Sequence, residues 1–441
     1  MRSVIGSVIR YVVRAASLML MALPLQGQNV GTLMHQADSA FTAKDRARAR
    51  QLYRRVFAKD PDQSRAAYRL GLLAANDEEA LAWFKRYAAL ERDDAWGWVA
   101  VGERSLRVGR TVEAREAYQR AATLEPTDDD IRQRFAKARL RAAPAVEPQF
   151  GYARDSDDGT TSKFGASGDV ALRGGWRVGA RLSRSTISDG FVDATLSESM
   201  LRLEGRPRAA WRIDLAGGAA NLTSPSDSSW PTFLADARAR WRSGGAAAEV
   251  RVRRFALGTS PALMAGHAVQ NEVRVGVEMP AGPFRIRAAE RMGIIDVATE
   301  SGNRRTQTDL ALVVPRGWRG EISAQYHRTG YERASAAGYF APGLVESIEG
   351  GTYWDLGGDG AVSASVDLGA GAQRLVLQGT AAGPWKPALR GWAALSVDLS
   401  RTVQWRAEAE AYSAPFAPVG AATSADWRYG SFTTGLQLRL P

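Results

Sequence analysis

The chain contains no cysteine and three histidines. Beyond its N-terminus it has no uninterrupted apolar run of the ~18 residues that a membrane-spanning helix requires. The first absence excludes disulfides, cysteine-ligated metal, a thiol nucleophile and a lipid-modified N-terminal cysteine. The last argues against a helical membrane protein, but a membrane barrel escapes that test because only alternate strand residues face lipid. No Gly-rich phosphate motif and no cluster of metal ligands is present. One-signed charge blocks are missing as well. The formal net charge is +11, yet from residue 145 onward 33 Lys+Arg meet 30 Asp+Glu, a net of +3. A nucleic-acid footprint clusters its basic residues, so no nucleic-acid partner is expected.

What the chain does have is alternation. From 147 to 441 apolar and polar residues succeed one another in short segments, as in 233–241, where Phe233, Ala235, Ala237, Ala239 and Trp241 share one face and Asp236, Arg238 and Arg240 the other. Strand geometry turns successive side chains to opposite faces, giving one apolar and one charged wall. Aromatics at both ends of the apolar wall fit the two interfaces of a bilayer. Sixteen strands are expected, with the segment 371–387 the one that could change the count. Connections after even-numbered strands are brief (Gly174-Gly175, Ser243-Gly244, Arg316-Gly317, 357–360), while several after odd ones are long (258–266, 332–345, 414–426). That parity matches short periplasmic turns and long outer loops. Trp176, Trp211, Trp318 and Trp405 open odd strands, where an aromatic girdle belongs. The last strand ends in Leu440-Pro441, where an outer-membrane insertion signal usually ends in an aromatic.

Upstream, residues 1–27 read as a secretory signal: Arg2, Arg10 and Arg14 precede an apolar stretch and the small residue Gly27. Residues 28–141 carry helical periodicity and resemble tetratricopeptide (TPR) repeats. The copy beginning at Ala95 has Trp98, Gly102, Ala114, Tyr118 and Pro126 in register. Others place Tyr53 and Phe84 at the aromatic packing positions. Three copies and a capping helix form a small α-solenoid, expected to dock a periplasmic partner or to act as a spacer. Residues 142–146 form a linker. The expected fold is thus a two-domain α + β chain: an N-terminal TPR-like α-solenoid, then an antiparallel transmembrane β-barrel of about 16 strands at 147–441.

Signal, TPR-like helices and barrel together resemble outer-membrane exopolysaccharide exporters, of the type of the cellulose synthase operon C-subunit. Gly338-Tyr339-Phe340-Ala341-Pro342 is similar to a Gly-Tyr-Phe-Ser-Pro segment of those proteins, with Ala341 in place of Ser. Those exporters have many more repeats than this chain. The resemblance implies export of an exopolysaccharide, a place in the outer membrane, and partners among outer-membrane lipid, the polymer, synthase or modification proteins and the barrel assembly machinery. It also implies that the loop with Tyr339, Phe340 and Pro342 folds inward or caps the pore.

For passage of a glycan, the inward candidates are Arg177, Arg181, Arg212, Asp214, Asp236, Arg238, Arg240, Glu249, Arg251, Glu272, Arg274, Arg319, Glu321, Glu408 and Glu410. Such groups can hydrogen-bond sugar hydroxyls. The other use for them is to pair across neighbouring strands and brace the wall. An interaction barrel with a plugged lumen is the alternative to a channel. Enzyme chemistry is not expected, nor any cofactor. A hydroxyl nucleophile needs a base in reach, and Ser323 and His327 lie too far apart along one strand face for a direct hydrogen bond.

Overall fold

The computed structural model describes residues 29–441 apart from 226, 318, 338, 358–359, 414–423 and 425, with the side chains of 227, 228 and 301 also left aside. The expected signal, Trp318, Gly338, part of the 357–360 turn and most of the 414–426 loop therefore lie outside the described residues. The chain forms two compact units: residues up to 104 with 120–126, and residues 105–119 with 127–441.

Seven helices precede the strands among the described residues: α1 Val30–Thr42, α2 Arg46–Lys59, α3 Ser64–Leu73, α4 Asp77–Leu90, α5 Ala95–Arg107, α6 Thr111–Leu124 and α7 Asp129–Ala142. Their starts are written in the sequence. Asp45, Asn76 and Asp128 accept hydrogen bonds from Arg48, Glu79 and Ile131 amides at 3.1, 2.9 and 3.1 Å, satisfying donors that a helix start leaves free. In the first unit α1 packs on α2 and α3 on α4. Leu33, Ala37, Ala49, Tyr53, Val56, Ala66 and Leu70 are buried together. Tyr53 keeps its hydroxyl satisfied by donating to Asp38 at 2.6 Å. Phe84 is buried against Gly71, where a Cβ would stand 2.8 Å from the ring, so only glycine lets these helices approach this closely. Trp98 donates its indole N–H to the Arg92 carbonyl at 3.0 Å, Gly102 is buried, and Pro126 lies in the exposed turn after α6.

The second unit is a closed, wholly antiparallel barrel in which β1 to β16 pair in chain order and β16 closes on β1. The strands are β1 Ala145–Asp155, β2 Thr160–Ala171, β3 Trp176–Ser188, β4 Asp193–Arg208, β5 Trp211–Ser224, β6 Asp227–Ser243, β7 Ala246–Ala256 and β8 Val269–Ala281. They continue as β9 Phe284–Val297, β10 Glu300–Arg316, β11 Gly320–Tyr331, β12 Leu344–Asp355, β13 Val362–Val376, β14 Lys386–Asp398, β15 Val403–Ser413 and β16 Arg428–Arg439. Segment 371–387 lengthens β13 and opens β14, leaving the count at sixteen. The linker is shorter than expected: α7 includes Ala142 and β1 already begins at Ala145, because Ala145 and Val146 pair with both neighbours. Gly244 and Gly245 join β6 to β7 at φ 57° and 83°, the left-handed pair that a tight two-residue hairpin demands. Ala114 and Tyr118 are buried in this unit. Beside them Glu116 pairs with Arg173 at 2.8 Å and Glu113 accepts from the Gly174 amide at 2.8 Å, tying α6 to the β2–β3 turn.

Outside, the barrel is an apolar band. Phe164, Leu182, Leu201, Phe233, Val252, Met292, Leu310, Ile348, Leu368 and Phe432 are all exposed, and they lie on strands right around the wall. A surface this apolar and continuous marks contact with lipid, not water. Trp176 and Trp211 open β3 and β5 as expected, and Trp405 donates to Thr434 at 2.8 Å. Trp241 faces Trp211 across β5–β6, and Trp354 covers Gly320; both belong to the same end, which carries the short turns.

Candidate functional site

Closing sixteen strands with apolar residues outward turns the other half of each strand into a lumen wall. That wall holds a cavity of about 1250 Å³, reaching from Trp211, Arg242 and Ala247 at the turn end to Leu257 and Gly258 below the loops. Most candidates line it or lie beside it in ion pairs. Arg238 donates to Glu249 at 2.7 Å, and Arg274 reaches the other Glu249 oxygen at 2.7 Å. Asp214 accepts from Arg240 and Arg202 at 3.0 Å each, while Arg212 pairs with Glu204. Arg251 bonds Asp236 at 2.9 Å, and Glu272 pairs with Arg253 at 2.8 Å. Glu321 is shared by Arg285 (3.0 Å) and Arg287. Arg177 bonds Asp169 at 2.6 Å and Arg181 reaches Gln149 at 3.4 Å.

The last two carboxylates differ, since their described partners are neutral: Glu408 meets the Trp392 indole, and Glu410 accepts from Ser431 at 3.2 Å. Arg319 stands in the turn between β10 and β11, because β11 begins at Gly320, two residues later than the start expected at Trp318.

Alternation also marks several partners that the candidate set omits. Arg202, Glu204, Arg285 and Arg287 share the parity of their neighbours. Arg390, with Glu349 at 2.6 Å and Asp367 at 2.8 Å, ties β14 to β12 and β13. All the lumen pairs named here join strands at most two apart. They follow the wall and leave the cavity between them.

His327 shows what the polar wall offers chemically. Its Nδ1 is 2.8 Å from Asp309 and its Nε2 is 3.5 Å from Glu349. Ser323 instead accepts from Gln325 at 2.7 Å. Both ring nitrogens of this histidine thus face carboxylates. His267 stacks on Trp230 at 4.6 Å in the β7–β8 loop, and His35 is in α1.

At the loop end the lumen wall changes character. Ile187, Ala194, Leu196, Ala220, Leu222 and Leu234 point inward and are buried against Met264. Met264 belongs to a short helix, α8 Pro261–Ala265, in the β7–β8 loop. Beside it, Leu257, Leu263 and Ala268 pack with Ile295, Val297, Tyr339 and Ala341, joining this loop to the one between β11 and β12. Tyr339 accepts from Asn303 at 2.8 Å, and burial pushes its phenol up to about 12. Phe340 reaches the other side, packing with Trp427, Tyr412 and Tyr429. Pro342 is buried, and its carbonyl accepts from the Tyr331 amide at 3.1 Å. Thus the two loops fold in over the mouth, leaving a cavity of about 570 Å³ lined by Asp155, Asp157, Asp189 and Tyr339. The apolar break in alternation on β3 to β6 was the available signal for this cap.

No protein-family profile matches the sequence, and no curated protein matches it. Among solved structures, one described as a bacterial polysaccharide outer membrane secretin is 10% identical, with 68% of this chain and 99% of that chain covered and a TM-score of 0.49. CdiB from Acinetobacter baumannii is 9% identical, with 67% and 60% covered and a TM-score of 0.41. A structure of MamA protein covers 26% of this chain and 64% of its own at 20% identity, with a TM-score of 0.24. Likeness at such low identities and scores transfers no function. What this chain can do rests on the chemistry of its own lumen.

Proposed function

We propose that this chain is an outer-membrane channel through which a secreted polysaccharide leaves a Gram-negative cell. Its loops close the mouth in the state described, and its TPR-like helices engage synthase or modification partners in the periplasm. One observation carries the reading. Arg–carboxylate pairs run along the wall instead of across it, around a cavity of about 1250 Å³. Guanidinium and carboxylate groups hydrogen-bond hydroxyls, and a lining in which Lys and Arg outnumber Asp and Glu suits a hydroxyl-rich polymer that carries some acidic groups. The role is read as passage, without catalysis. The cap supports a second reading, an interaction barrel whose lumen stays shut.

Planar-bilayer recording separates the two. The full chain is expected to conduct in brief openings that added gluco-oligosaccharides block. If the barrel is folded, yet stays silent even after residues 334–341 are replaced by a short glycine linker, the channel reading fails and the interaction barrel stands.

A further inference from the structure

A groove of about 890 Å³ runs along the outer face of β3 to β10. Its floor is made of the smallest side chains on that face, Gly217, Ala235 and Ala237, and a Cβ at Gly217 would meet nothing within 4 Å. Its walls are large and apolar, with Leu201 and Leu215 on one side and Val252 and Met292 on the other. Registry places one row of residues across the loop-side edge: Ala235, Arg254, Asn271, Ile294 and Arg304 are successive cross-strand partners. Three strand spacings separate the two arginines, roughly 14 Å around the wall.

Arginine on the outer face of a membrane barrel is costly near mid-bilayer and tolerated close to the interface. Here both guanidiniums sit on the edge towards the loops, and neither is closely neutralised. Arg254 donates to the Asn271 side-chain oxygen at 3.1 Å and lies 4.4 Å over the exposed Phe233 ring. Arg304 stands 3.8 Å from Glu332, with both side chains more than half exposed. An apolar slot with cations at the headgroup edge is complementary to one kind of neighbour, acyl chains below and phosphate above.

We propose that this groove binds an anionic, phosphate-headed lipid of the leaflet at the loop end, with Arg254 and Arg304 on the phosphate and the chains over Gly217, Ala235 and Ala237. The inference rests on the barrel lying in a membrane and is independent of whether it conducts. Native mass spectrometry of the full chain in detergent tests it, with equimolar dioleoyl phosphatidylglycerol and dioleoyl phosphatidylcholine, whose chains are identical. Preferential retention of phosphatidylglycerol is expected. The R254Q/R304Q double variant should lose that preference several-fold, while R154Q, which alters an outward arginine on β1, should keep it. Gly217→Leu fills the floor without a backbone clash and should lower retention of both lipids.

Equal retention of the two lipids by the unaltered chain, or an unchanged preference in R254Q/R304Q, overturns the site while the membrane reading stands. Release of a dimer into monomers by Gly217→Leu, with lipid retention unaltered, overturns it in favour of a second copy. A folded chain that fails to enter vesicles of either lipid overturns the membrane reading and the site together.

Discussion

Single residues in both units hold geometry that the surrounding sequence cannot replace. Glu79 accepts from the Ala75 amide and receives Arg50 and Arg54 at 2.7 Å each, which draws its carboxyl down to about 2. The amide is the largest cause and the guanidiniums add to it, partly offset by desolvation. A carboxyl that titrates lower folded than unfolded stabilises the fold above its ordinary value of 4.5, and the gain is lost as pH falls towards about 2. Glu79→Gln should therefore remove an acid-sensitive part of the helical melting signal while changing little of its pH dependence above 5–6, as followed at 222 nm on the full chain (roughly one to two pH units above the ordinary carboxyl range). Gly71→Ala should cost about 1–3 kcal/mol in the same melt, because its Cβ lands on Phe84 and a packed core resists the extra methyl. In the lumen, Asp214 neutralises Arg202 and Arg240 directly and stands beside Arg212. Asp214→Asn leaves that cluster with Glu204 as its acid, so a conducting barrel should shift its reversal potential towards anions.

Elements show which rules local sequence obeys and which need a partner. Strands were legible because alternation and burial agree: β6 reads Phe233, Ala235, Ala237 outward and Asp236, Arg238 inward in sequence and in structure alike. Turns were legible where glycine must adopt positive φ, as at Gly244-Gly245. The loops were not. Nothing within 257–268 or 332–343 states that Met264 will find Leu196 and Leu222, or that Phe340 will meet Trp427, since those partners are remote in the chain and adjacent only after closure. Because the cap depends on these contacts, the double variant Tyr339→Ala/Phe340→Ala should open the mouth. Its expected signature is a longer open time and a higher mean conductance in planar bilayers than the unaltered chain, with an unchanged strand signal in circular dichroism.

At the scale of the whole molecule, the apolar band and the closed hydrogen-bond ladder are two sides of one requirement. Lipid offers backbone groups no partners, so a sheet survives there only without edges. The pairing of β1 with β16 provides that closure. The full chain should accordingly migrate faster on a cold detergent gel than after boiling, and should stay with membranes through alkaline extraction. Loss of the boiling shift when Tyr152 and Phe432, paired at the β1–β16 seam, are both changed to aspartate would place the weak point of the barrel at its closure.

By itself, the sequence determined the period of each segment, and with it the order of helices then strands, the number of strands, the parity of turns and the outward or inward sense of most side chains. Those properties are local, set by neighbours one to four positions away. Only the tertiary structure decided which charges pair. Arg390 reaches Glu349 across β13 because strand registry aligns them, and Arg406 reaches Glu147 at 3.1 Å because barrel closure brings together strands far apart in the chain. It likewise put Arg319 in a turn, folded two loops over the mouth and laid Gly217 beside Ala235 as the floor of a groove. Partner choice depends on registry and closure, which no single segment contains.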